Sequence, residues 1–475
     1  MKVDLASLSV RNDSSKITKN HVKVIAAAVI GDMLEFFDLF LLSFMLAFIV
    51  VPWHLSYMQT SVLILAAGVG AIIGAYFWGN MADIFGRRPI FISTILVFSI
   101  ATGAMFFTPE GNWIYLTIFR VMVGFGVGGL YCVDLPLVQE FVPARYRGVA
   151  SSIIIFSVGF GTFLAGMSAA HLTGLVGGWR GLFLIGLIPA AATLLVRVWV
   201  PESPRWLITK GRFSEAATSF LWSLGERKNY KRDESIEVVA NPEDFPESLQ
   251  QKKRLPLLEI FKYPRSVIVS CFLMLGIQTA IFGYQMWGPT IFTQILNITA
   301  PQSAAMWSML ALITCPAPII WGFVGDKIGR RPTLVAITCI GGLLLIIGGQ
   351  NSNAMLGTVS VFFIFSILAH FFVGGSMGII GPYSAEIWPS HLRTTGLGFA
   401  YSVGNLGKII GPASLAIFAG SSNIVSPAVT VSAVPSAWIF LALCAIIGGL
   451  VVLGGIETRG KTIVDIEKSL IRKSA

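Results

Sequence analysis

Long apolar runs alternate with short polar ones along almost the whole chain. A helix rising 1.5 Å per residue needs about 20 apolar residues to cross the hydrocarbon of a bilayer. On that measure the runs predict spans near 24–50, 60–79, 90–107, 113–137, 149–172 and 180–200. Six more follow near 266–290, 303–322, 333–349, 355–382, 396–418 and 434–455. The pattern is all-α and membrane-embedded. An N-terminal six-helix bundle (1–200) and a C-terminal one (266–475) are joined by a polar linker loop, 201–265, with short surface helices expected at 203–224 and 255–262. No apolar run in that loop is long enough for a core of its own.

Composition sharpens this. Of 475 residues 55% are hydrophobic and only 12% charged, about half the charge of a soluble domain. A net charge of +10 would point to nucleic acid in a soluble chain, but its placement excludes that reading. The loops 1–23, 80–89, 138–148, 197–265, 323–332, 383–395 and 456–475 hold 31 of the 34 Lys and Arg, and the opposite loops hold only Arg180. The positive-inside rule therefore expects both termini and the central loop in the cytoplasm, with the chain multi-pass in the plasma membrane. The polar, basic first twenty residues lack the apolar core of a cleavable signal. All five cysteines fall in apolar runs with neither paired spacing nor a His nearby, so they read as small buried hydrophobes.

Two loop motifs occur twice. Gly79, Asp83, Gly86, Arg87, Arg88 and Pro89 recur as Gly322, Asp326, Gly329, Arg330, Arg331 and Pro332, 243 residues on. Glu140, Pro143 and Arg147 recur as Glu386, Pro389 and Arg393, 246 residues on. A duplicated six-helix unit accounts for both offsets, and parallel repeats of this kind place a substrate site between the halves near mid-membrane. Gly86 and Gly329 permit a tight bend. Carboxylates and arginines held at fixed spacing favour an ion-pair latch at one face over plain membrane anchors.

These residues carry a resemblance. The two Gly…Asp…Gly-Arg-Arg loops look like the signature loop of the major facilitator superfamily. Arg120-x3-Gly124-x-Gly126-x-Gly128-Gly129 resembles its second signature, and Pro201-Glu202-Ser203-Pro204-Arg205-Trp206-Leu207 is similar to a motif of sugar porters and organic-ion transporters. Glu35-Phe36-Phe37-Asp38 looks like the Asp-Gly-Tyr-Asp stretch of aromatic-acid and phosphate symporters, with Glu first and Phe for Gly and Tyr. Gly407-Lys408-Ile409-Ile410-Gly411-Pro412 resembles the basic stretch of the organic-ion and aromatic-acid group. The resemblance implies a secondary transporter that works as a monomer by alternating access. It ranks symport of an organic acid with protons first and sugar or polyol symport second. A nutrient sensor of transporter shape is the reading from another class, disfavoured by tails of only about 20 residues. Proton-driven export shares the fold.

Ionisable groups within the spans are functional candidates, because each costs about 2.5–3.5 kcal/mol at mid-bilayer. Asp32, Glu35 and Asp38 cover about 120° of one helix face. Asp38 and Arg120 reach similar depths, on the first and fourth spans. They are expected to pair, and a carboxylate that loses such a partner takes up a proton. Glu35 is the other candidate carrier, Asp134 is ambiguous, and Asp32, nearer the basic end, is expected to be solvated. Lys408, about 18 Å into its span, is too deep to snorkel and suits an anionic group of a substrate. His370, Gln278, Tyr284, Gln285, Trp287 and Tyr383 are further substrate-binding candidates. Trp53, Trp113 and Trp388 fit an interfacial aromatic belt. The sequence has no phosphate-binding Gly-Lys-Ser/Thr loop and no metal-spaced cluster, so neither enzyme chemistry nor a cofactor is expected.

Overall fold

The structure is a computed structural model that describes residues 2–187, 200–227, 237–239, 257–389 and 392–459. Span 1 is Lys19–Ile49, span 2 Tyr57–Phe85, span 3 Arg87–Met105, span 4 Trp113–Phe141 and span 5 Arg147–His171. Span 6 is helical from 181 to 187, beyond which its residues lie outside the description. Span 7 is Pro264–Leu296, span 9 Arg330–Gln350 and span 12 Pro427–Leu450 with a 3-10 turn, Val451–Gly454. Spans 8, 10 and 11 are each interrupted. Span 8 runs Ala300–Thr314 then Ala317–Ile328, around Pro316. Span 10 runs Val361–Val373 then Met377–Glu386, around a 3-10 turn at Gly374–Ser376. Span 11 runs Arg393–Asn405 then Gly407–Ala419. Among the described residues, nine helices are long and apolar enough to cross a membrane. The first span carries too many charges to be counted with them, and the fourth and sixth include residues not fully described.

Close helix packing rests on small residues. A Cβ on Gly70 or Gly74 would strike the carbonyl oxygens of Val121 or Phe125, and one on Gly124 or Gly128 those of Ala67 or Ala71. Spans 2 and 4 therefore meet backbone to backbone, which is why the Gly-rich signature follows Arg120.

Four expectations change. The tenth helix begins at Val361, not near 355, because Met355–Leu356 and Val359–Ser360 form a small antiparallel pair about Gly357, whose φ is +62°. The predicted surface helix 203–224 is two, Pro204–Thr209 and Phe213–Ser223, split at Gly211 with φ +69°. Trp388, placed in the interfacial belt, is instead buried. The polar N-terminus contains a helix, Leu5–Ser14, whose Leu5 and Leu8 join Trp206, Leu207, Phe220 and Leu221 in a small separate core. No single run in 201–265 could form that core; the N-terminus completes it. Asn12 ties it to the first half, donating to the Phe141 carbonyl at 2.9 Å and accepting from Ser223 at 2.8 Å.

The face carrying the Arg-rich turns is called here the basic face. Hydrogen bonds between the halves cluster toward the opposite face. Tyr57 and Met58 donate their amides to the carbonyls of Asn423 and Ser421, both at 3.0 Å, and Val425 donates to Leu55 at 3.1 Å. Tyr57 Oη meets Thr430 Oγ1 at 2.6 Å, and Ser61 donates to the Pro412 carbonyl at 3.2 Å. Trp287 packs at a tilt against Tyr57 and donates to that same carbonyl, so it belongs to this seal.

Candidate functional site

Span 1 brings three buried carboxylates toward the joint between the halves: Asp32, Glu35 and Asp38, at 6%, 2% and 2% exposure. Asp32, expected in solvent, is buried. The helix has room for them because spans 4, 5 and 7 pack around this stretch and replace lipid. Asp38 and Arg120 do pair. The Arg120 guanidinium donates to Asp38 Oδ2 and to the Asp38 carbonyl, both at 3.2 Å, and to the Leu39 carbonyl at 2.6 Å. Thr102 of span 3 donates to Asp38 Oδ1 at 2.9 Å. Every member of this set lies in the first half. Asp134 is within span 4, but its side chain lies outside the description.

Across the joint, the break in span 11 at Asn405–Gly407 falls immediately before Lys408. Interrupted helices of this kind line transporter sites because the break frees backbone and side-chain polar groups. Asn405 Oδ1 is such a group, buried with no hydrogen-bond partner. The Lys408 ammonium stands 5.0 Å from the Phe282 ring centroid and 5.8 Å from that of Tyr401, within cation–π range.

A neutral cluster occupies the second half. Tyr284 Oη is 2.7 Å from His370 Nδ1, and the Gln285 amide nitrogen is 3.1 and 3.2 Å from the two ring nitrogens. Gln278, two turns from Gln285, instead faces span 11, near where a Cβ on Gly404 would stand. Tyr383 joins neither group. It is buried toward the basic face, its hydroxyl against Gly455.

At the basic face the repeats take up matched contacts. Arg330 pairs with Asp326 at 3.1 Å and with Glu386, uniting both motifs of the second half. The Arg330 and Arg331 amides donate to Glu457 at 3.2 and 3.0 Å. In the first half the Arg87 amide donates to Glu202 at 2.9 Å and the Arg88 amide at 3.2 Å, while Glu140 accepts from the Ser203 hydroxyl. Gly86 and Gly329, with φ of +108° and +130°, make the turns that aim these amides. Burial pushes the Glu202 carboxyl up from its usual range, against the amides of Ser203, Arg88 and Arg87 that pull it down. Space around Gly79 is open, so no close contact requires glycine there. The side chains of Asp83, Arg147 and Arg393 lie outside the description.

Glu202, Glu457, Thr102, Asn405, Phe282 and Tyr401 were not marked as site residues by sequence. The usable signal was positional: each half has a glutamate just after its last span.

Among the described residues no group of three or more His, Cys, Asp or Glu could hold a metal ion. The arrangement offers a cation at Lys408 to an anion and a buried carboxylate that can gain or lose a proton.

Known proteins share this sequence pattern. The niacin transporter of Acinetobacter baylyi is 27% identical over 98% of this chain and 100% of its own length. The cis,cis-muconate transport protein of the same organism is 28% identical over 82% of this chain and 85% of its own. A proton:xylose symporter structure superposes with a TM-score of 0.70 at 21% identity, covering 96% of this chain and 100% of that one. The family model for sugar (and other) transporters matches residues 20–470. The chain therefore belongs to that family, within the major facilitator superfamily, and is a twelve-helix, multi-pass membrane transporter of small molecules rather than an enzyme.

Proposed function

We propose that the chain carries a small organic anion inward together with protons, by alternating access across the plasma membrane, with the basic face cytoplasmic. The observation that carries this reading is Lys408, a cation deep in span 11 seated between two aromatic rings. That is a receptor for a flat carboxylate: charge for the anion, ring faces for its frame. The relatives' cargoes fit such a site, niacin being an aromatic carboxylate and cis,cis-muconate a conjugated dicarboxylate. Tyr284, Gln285 and His370 supply neutral polar contacts, and Asp38 beside Arg120 is a proton carrier. The Asp326, Arg330 and Glu386 contacts of the second half act as a latch at the cytoplasmic face, opposite the seal at Tyr57.

Uptake into liposomes under an imposed pH gradient tests this. The panel contains nicotinate, cis,cis-muconate, phosphate, xylose and a quaternary ammonium. Carboxylates should accumulate in liposomes that are acidic outside, and Asp38→Asn should abolish accumulation while leaving counterflow. Accumulation by Asp38→Asn removes Asp38 from the role. Uptake of xylose alone establishes the sugar reading, in which Gln278 and Gln285 bind hydroxyls and Lys408 is structural.

A further inference from the structure

One carboxylate and one ammonium confront each other across the joint without a hydrogen bond between them. Glu35 Oε2, on the first half, is buried and has no partner. Lys408, on the second half, is near enough to Glu35 for the two charges to interact. Yet its ammonium lies over Phe282 and Tyr401, with no described carboxylate within ion-pair distance. Its stem abuts span 2, where a Cβ on Gly68 would lie 3.4 Å from the Lys408 Cβ, so the cation is held at the joint.

The other charges nearby do not substitute for it. Asp32, one turn away on the same helix, adds a like charge to Glu35. Arg120, from span 4, is committed to Asp38 and Leu39; Asp134 is further along span 4. Spans 5 and 7, which also pack on span 1, carry no charged side chain at this depth.

We propose that Glu35 and the carboxylate of the transported anion compete for Lys408, and that this competition links substrate binding to proton uptake. The inference rests on the organic-anion reading above and adds Glu35 to it, beside Asp38, as the carboxylate whose proton is linked to substrate binding. Empty, the pair Glu35 and Lys408 sums to zero charge. When a monocarboxylate takes the ammonium, Glu35 is left buried beside Asp32 and binds one proton from the open side. Lysine, substrate and neutral Glu35 again sum to zero. Anion without proton leaves one uncompensated negative charge, whose burial holds the transporter from closing. On the other face the proton leaves Glu35, which displaces the anion from Lys408. Glu35 therefore carries one proton with each monocarboxylate.

The test is nicotinate binding to purified protein in detergent across pH. In the wild type the apparent Kd should rise about tenfold per pH unit, the limit for one linked proton. Glu35→Gln should remove the slope and bind at about pH 7.5 as tightly as the wild type at about pH 5.5. Glu35→Asp, which keeps the ionisable group and guards against a folding defect, should retain the slope. Lys408→Gln should weaken binding at least about tenfold, the loss of one charge-assisted bond. A slope that persists in Glu35→Gln, or a Lys408→Gln variant that binds like the wild type, overturns the inference. A slope abolished by Asp38→Asn but not by Glu35→Gln overturns it while leaving anion symport standing. A wild type that binds neither nicotinate nor cis,cis-muconate at any pH overturns both.

Discussion

Arg120 is 1% exposed and gives its guanidinium to Asp38 and two backbone carbonyls. Removing one partner of such a pair strands the other, which costs about 3–5 kcal/mol. Arg120→Leu should therefore lower thermal stability in detergent by more than Asp38→Asn/Arg120→Leu does, the double variant having no stranded charge. Strictly additive losses would mean the pair is not coupled. This pair was legible in the sequence because a charge inside an apolar run stands out, and helix rise gives its depth. Thr102, Phe282 and Tyr401 were not legible. A threonine or an aromatic in a membrane span is ordinary, and only the packing of spans 3, 7 and 11 reveals which one meets a charge. Tyr383 shows the converse, since its place near the end of span 10 fits a cavity or the basic-face contacts equally well.

Among the elements, the third and ninth spans share one device. Their first amides, aimed by a glycine of positive φ, are capped by a carboxylate from beyond the sixth and twelfth spans, Glu202 or Glu457. Each half is thereby closed end to end, as an N-terminal helix dipole facing a carboxylate allows. The raised Glu202 value fixes the sign of a pH effect. The folded state holds this proton more tightly than the unfolded one, so its stabilisation is complete below about pH 4 and is lost as pH rises through the folded value. Glu202→Gln, always neutral, should flatten the fall in melting temperature between acidic and alkaline pH. An unchanged slope would clear Glu202 of this role. The repeat itself was readable from six residues at one offset. The caps were not, because they join segments 115 and 127 residues apart in sequence.

For the whole molecule, the count of twelve and the division into six and six could be read from apolar runs, whose length the bilayer sets. The N-terminal helix escaped because Leu5 and Leu8 make too short a stripe, and their partners lie two hundred residues on. The conformation was likewise invisible, since apolar runs do not say at which face the halves meet. The seal is testable: Ser56 and Ile424 form an isolated antiparallel bridge between the halves, a spacing suited to a disulfide. The Ser56→Cys/Ile424→Cys variant should lose transport on oxidation and regain it with reductant; transport by the cross-linked form would show that this face need not open. The seal also sets a preference between the two faces. Under the alternating access proposed above, its three amide bonds between the halves, at about 1 kcal/mol net each, would by themselves disfavour opening to that side about a hundredfold. A solute arriving there would then meet a competent receptor that much less often, and its apparent affinity would be weaker by about the same factor than from the basic face. One binding site would thus present two affinities, and the direction of easy release would be written into the loops rather than into the pocket.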